Sequence, residues 1–235
     1  MATAEQVEAF RVATARVAGM ARRDLLLVWS SLDLAEPLAV KEAMLELFPD
    51  LVATYGESAA ALAADYYDEL RESSEVSGRF SAVAAGTVPV EQVEASTRWG
   101  LGALFGGAGP DASFGSLGGV LDRYVKQAGR DTVTGSARRD PRRASFARVP
   151  SGSSTCAFCM MLASRGAVYE SKVSAGDMHK YHGDCDCQPV AVWSESDLPD
   201  GYDPDALYEK YLDIHDPGMS GRQTAAAWRA EYGTN

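Results

Sequence analysis

Phe146-Ala147-Arg148-Val149-Pro150, followed by Cys156-Ala157-Phe158-Cys159, is where the chain changes character. The first four residues alternate in type and stop at a proline, which predicts a strand. Ala167-Val168-Tyr169 and Pro189-Val190-Ala191-Val192-Trp193 read as two more, separated by turns rich in Ser, Gly and Asp. A β region this small holds few core residues and calls for a staple.

Upstream, helical spacing dominates. Val7, Phe10, Val17, Ala21, Leu25 and Val28 share one helix face, with Thr14 as a polar interruption. Glu36-Pro37 predicts a restart, because proline suits a first helical turn. Val40, Met44, Leu47 and Phe48 form a short stripe, and Pro49-Asp50 predicts a further restart. Val52, Tyr55, Ala59, Leu62, Tyr66 and Leu70 form a longer one. Another helix is expected from Thr87-Val88-Pro89 to about Phe105, then a loop at Gly106–Pro110. Leu117, Leu121, Tyr124 and Ala128 make a last stripe. Downstream, Asp203-Pro204 and Ser220 introduce two short helices. The expected fold class is therefore α+β: a helical bundle over residues 1–134, a Cys/His-clustered β-rich domain over 135–200, and a helical tail over 201–235.

The four cysteines, Cys156, Cys159, Cys185 and Cys187, all fall within 32 residues. A C-x-x-C turn holds two thiolates about 4 Å apart, the bite that tetrahedral zinc requires. His182-Gly183-Asp184-Cys185-Asp186-Cys187 supplies the second half, so five candidates compete for four places. With no position left for water, such zinc would be structural. The alternative is a set of reduced thiols packed around a small β core. His179, beside Lys180, reads as a surface histidine, and His215 as a helix C-terminal residue.

The net charge of −11 over 235 residues repels phosphate, but its distribution is uneven. Residues 123–148 carry eight basic residues against two acidic ones, net +6, leaving −17 for the remainder. Arg130, Arg138, Arg139, Arg142, Arg143 and Arg148 are candidates to touch DNA or an acidic partner; otherwise the segment is a solvated linker. No apolar run approaches the ~18 residues of a membrane span, and Met1–Gln6 lacks the features of a secretory signal.

Enzyme chemistry finds little purchase. Ser151, Ser153 and Ser154 precede the C-x-x-C, but a G-x-S-x-G elbow is missing. The sequence also lacks H-E-x-x-H, the deaminase His-x-Glu and a phosphate-binding G-x-x-x-x-G-K-[ST]. Gly100-x-Gly102 lacks a preceding strand, and Asp65, Asp68 and Glu69 read as a solvated helix edge.

Taken together, Phe146–Val149, Thr155-Cys156-x-x-Cys159, Leu162–Tyr169 and His182-x-x-Cys185-x-Cys187-Gln188-Pro189-Val190 resemble the phage Mu F-like minor head protein family, in particular its actinobacteriophage branch. The basic lead-in and Gly201-Tyr202-Asp203-Pro204 add to the likeness, which covers residues 145–205 directly and the helical half in layout only. Gly183 departs from the proline that commonly follows the histidine. The resemblance implies a structural minor head protein in the virion, assembled in the host cytoplasm. It would associate with portal protein and with major capsid or scaffold protein, and act in head assembly or DNA packaging and delivery. Packaged DNA would be met through residues 123–148. The competing expectation is a capsid maturation protease or protease-linked assembly factor.

Overall fold

The computed structural model describes residues 2–152, 155–168 and 187–234. Helix α1 spans Ala4–Ser30 and starts at a capping box, in which Thr3 and Gln6 exchange side-chain and backbone hydrogen bonds. It buries the expected face, including Thr14; in its last turn Trp29 is buried and Val28 packs partly buried against the same cluster.

Helix α2 runs unbroken from Pro37 to Ser73, so the restart expected at Pro49 does not occur. An internal proline costs roughly 3 kcal/mol through a lost N–H bond and a clash with the preceding turn. Met44, Phe48 and Val52, on one helix face across that turn, are 0–1% exposed, and their burial offsets the cost. Residues 74–89 form an extended strap. Helix α3 (Val90–Gly100) stops at Leu101, and a short α4 (Gly102–Gly106) follows. The expected loop shrinks to Gly107 and Ala108, because α5 already begins at Gly109 and takes Pro110 into its first turn.

Helix α5 reaches Arg139, well into the basic segment. It ends where Asp140 and Pro141 stop propagation. The sequence boundary at 134/135 therefore falls inside a helix. Gly129 lets α5 approach α2 closely: a Cβ there would lie 3.2 Å from the Ala59 carbonyl oxygen.

Strand β1 (Ser145–Val149) pairs antiparallel with β2 (Gln188–Val192), with Phe146 opposite Ala191 and Val149 opposite Gln188. Ala167 and Val168 lie outside any strand. Helix α6 (Ala157–Ala163) follows β1. Helix α7 (Pro204–Ile214) is capped by Asp203, and α8 (Gly221–Tyr232) by Ser220.

The result is α+β and dominated by helices. One apolar cluster joins Val17, Leu25, Trp29, Met44, Phe48, Leu117 and Leu121 at one end of the bundle. A second joins Phe10, Tyr66, Tyr67 and Val133 to Ala147, Val190 and Val192 at the other end, so the ribbon shares a core with α1, α2 and α5. A third seats α7 and α8 on α6 through Trp228, Ala157 and Met161. Among the described residues, no helix is long and apolar enough to cross a membrane.

Candidate functional site

The C-x-x-C segment is a helix start. Cys156 is the N-cap of α6, and its Sγ accepts the Cys159 backbone N–H at 3.4 Å. Cys187 immediately precedes β2, and strand pairing carries it across to α6. Its thiol donates to Cys159 Sγ at 3.1 Å. Cys159 and Cys187 are buried, Cys156 partly so, and none of the three is in a disulfide.

Two buried guanidinium groups converge here. Arg148, from β1, places Nη2 3.6 Å from Cys187 Sγ. Arg130, from α5, donates from Nη2 to the Cys187 carbonyl at 3.3 Å. Both arginines are only 2% exposed. Burying such charges is costly unless they are paired or hydrogen-bonded. They supply the positive potential that an anionic sulfur would need.

Three soft sulfur donors on two separate pieces of chain suit zinc in kind. The Cys159–Cys187 sulfur spacing of 3.1 Å is tighter than a loaded site requires, because thiolates sharing tetrahedral zinc stand about 3.8 Å apart. Among the described residues, no group of three or more His, Cys, Asp or Glu side chains is arranged to hold a metal ion. His182 and Cys185 lie outside the described residues, as do His179, Ser153 and Ser154. The structure thus brings together Cys156, Cys159 and Cys187 of the five candidates.

The basic candidates divide in two. Arg130 and Arg148 point inward, whereas Arg138, Arg139, Arg142 and Arg143 are exposed. Arg139 also donates to the Val83 carbonyl, and Arg142 to that of Ser77, both at 3.0 Å, fastening the strap to the end of α5. The inward pair is traceable in the sequence. Arg130 shares a helix face with Val133 and Ala137, and Arg148 shares a strand face with Phe146.

Ser151 is buried beside a cleft of about 470 Å³ bounded by α1, β1, α6 and α7. His215 caps α7, with Nδ1 2.9 Å from Thr224 Oγ1. Sequence reasoning missed a buried cluster beneath the strap. Arg71 Nε donates to Asp140 Oδ2 at 2.9 Å, and the Tyr67 hydroxyl donates to the same oxygen at 3.1 Å.

Comparison with known proteins places this arrangement in a family. The VG15 protein family matches residues 1–214. The "Gene 15 protein" of Mycobacterium phage D29 is 28% identical, over 92% of this chain and 88% of the relative. The protein of the same description from Mycobacterium phage L5 is also 28% identical, over 84% and 80%. No solved structure matches. The expected phage affiliation stands on these matches; the Mu F-like assignment is not part of them. Because the match takes in the helical half, the thiol cluster and α7 together, the chain belongs to the VG15 protein family.

Proposed function

We propose that this phage protein is a structural component of the tailed-phage head: a Mu F-like minor head protein that associates with the portal vertex and acts in head assembly or DNA packaging and delivery. The family match over residues 1–214, with phage relatives of comparable length, carries this reading. The helices would dock on portal, major capsid or scaffold protein. The exposed Arg138, Arg139, Arg142 and Arg143 would meet packaged DNA or an acidic partner face. The test is quantitative mass spectrometry of purified procapsids and virions, scaled to portal protein. Intact chain at low copy in both is the expected result. Absence from both, or cleavage products in the virion, would overturn it.

Zinc is the proposed structural ligand, held by Cys156, Cys159 and Cys187 with His182 or Cys185 completing the set. The convergence of three thiols from two separate segments supports it. Purified protein is expected to carry about one zinc per chain by elemental analysis. Cys159→Ser should remove most of it, and a strong chelator should lower Tm, because structural zinc binding is folding free energy. Metal-free wild-type protein with a chelator-insensitive Tm would refute the assignment.

A further inference from the structure

A groove of about 610 Å³ lies between α3 and α5, at the end of the bundle away from the ribbon. One wall is the α3 face of Gln92, Ala95, Ser96 and Trp99, at helical spacings of three and four. The other is the α5 face that carries Ser116, Gly119 and Arg123. Ser96 Oγ and the Tyr124 hydroxyl, 2.7 Å apart, tie the floor together.

Three features of this groove lack an explanation among the described residues. Trp99 is 70% exposed, although its ring is a large apolar surface. Gly119 sits in mid-helix, where glycine is unfavourable, yet a Cβ there would meet nothing within 4 Å. Arg123 lies over the Tyr124 ring, 4.9 Å from its centroid, with a buried Nε that has no hydrogen-bond partner among the described residues. The neighbouring cations are satisfied within their own helices: Arg98 by Glu94 and Lys126 by Asp122.

The complement is found at the opposite end of the molecule. Helix α7 buries none of its residues fully. Leu207, Tyr211 and Ile214 turn toward α6 and α8. The outer face presents Tyr208, 47% exposed, and Leu212, 50% exposed. Asp205 and Glu209 lie on that same face at spacings of three and four, and neither has an ion-pair partner among the described residues. An apolar stripe edged by carboxylates matches an apolar groove that offers one uncompensated guanidinium.

We propose that copies of this chain assemble head to tail, with α7 of one copy seated in the α3–α5 groove of the next. Tyr208 and Leu212 pack against Trp99 and over Gly119, and Glu209 or Asp205 neutralises Arg123. The two surfaces sit at opposite ends of one chain, on different apolar clusters, so the contact is heterologous and propagates into a ring or a filament. The contact does not depend on the portal reading above.

Sedimentation velocity of the full chain across a concentration series is the test. Wild type should form species heavier than a monomer, growing with concentration. Gly119→Leu adds bulk to the groove from a position where a Cβ meets no atom within 4 Å, and Leu212→Arg spoils the α7 stripe at an exposed position. Each is expected to weaken association about thirty-fold. Mixed one to one, the two variants should give a heterodimer that grows no further, because only one intact contact remains. The charge swap Arg123→Glu with Glu209→Arg in one chain should restore assembly that either change alone impairs. A wild-type monomer up to concentrations on the order of 100 µM, or assembly indifferent to Gly119→Leu, would overturn the proposal.

Discussion

Replacing Asp140 with alanine is expected to destabilise the protein by about 3–5 kcal/mol, the usual result of removing one partner from a buried ion pair. The Asp140 side chain is fully buried, and that of Arg71 is 9% exposed. Arg71 also donates to the carbonyls of Val76, Ser77 and Gly78, at 2.9–3.2 Å. Without Asp140, its charge stays buried with neutral acceptors only. Tyr67 would lose its acceptor, although its ring would remain edge-on to Phe80 and Trp193. The cluster therefore fastens the end of α2, the strap, the α5 C-terminus and the end of β2 at one point.

The same cluster predicts an acid limb. Burial alone would raise the Asp140 pKa, but the Arg142 N–H, the Arg71 guanidinium and the Tyr67 hydroxyl outweigh it and hold the carboxyl below its ordinary value. A carboxylate with a depressed folded pKa contributes fully above the unfolded value of about 3.9 and loses that contribution as pH falls through the folded pKa. Urea unfolding should show this loss for wild type in acid, and Asp140→Asn should flatten that limb. A penalty under about 1 kcal/mol for Asp140→Ala would place the cluster among weak surface pairs.

Trp228→Ala should cost a further large amount, about 3–5 kcal/mol, as for other fully buried tryptophans. Trp228 is 0% exposed and packs on Ala157 and Met161 of α6. Its ring also lies 5.3 Å from Tyr232. Removing it opens the seat of α7 and α8 and loosens the helix that begins at Cys156. Trp228→Phe should be much milder, because the buried indole N–H has no acceptor among the described residues and its loss removes an unsatisfied donor. Limited proteolysis is the sharper readout: Trp228→Ala should expose cleavage within residues 204–232 while α1, α2 and α5 resist. Uniform resistance across the chain would refute the seating role.

Much of this architecture is written in local pattern. The stripes of α1, α2 and the first half of α5 follow helical spacing, and both strands follow short apolar runs beside prolines. What escapes the pattern is decided by tertiary packing. Pro49 is tolerated because Met44, Phe48 and Val52 bury together against other helices, a condition invisible within a short window. Ala167-Val168 has strand-like residues but forms no ladder among the described residues.

The site shows the same division. Spacing singled out Cys156, Cys159, His182, Cys185 and Cys187; the fold brings Cys156, Cys159 and Cys187 together, and the other two lie outside the described residues. Charge counting treated residues 123–148 as one basic surface, although Arg130 and Arg148 turn inward to Cys187. Periodicity applied to charged residues as well as apolar ones would have separated them. The Arg71–Asp140 pair, 69 residues apart in the chain, left no local trace.

The antiparallel ribbon also imposes an order of events during synthesis. The three long helices whose core the ribbon shares, α1, α2 and α5, are complete once Arg139 has been made. The partner strand of β1 ends only at Val192, about 40 residues after β1 does. At ~5–20 residues per second, β1 waits roughly 2–8 s with an unpaired edge. A two-stranded ribbon is marginal alone, so β2 must be captured on a scaffold that has already folded. The nascent chain is thus most exposed to mispairing in that interval, and a ribosome pause before residue 192 would lengthen it.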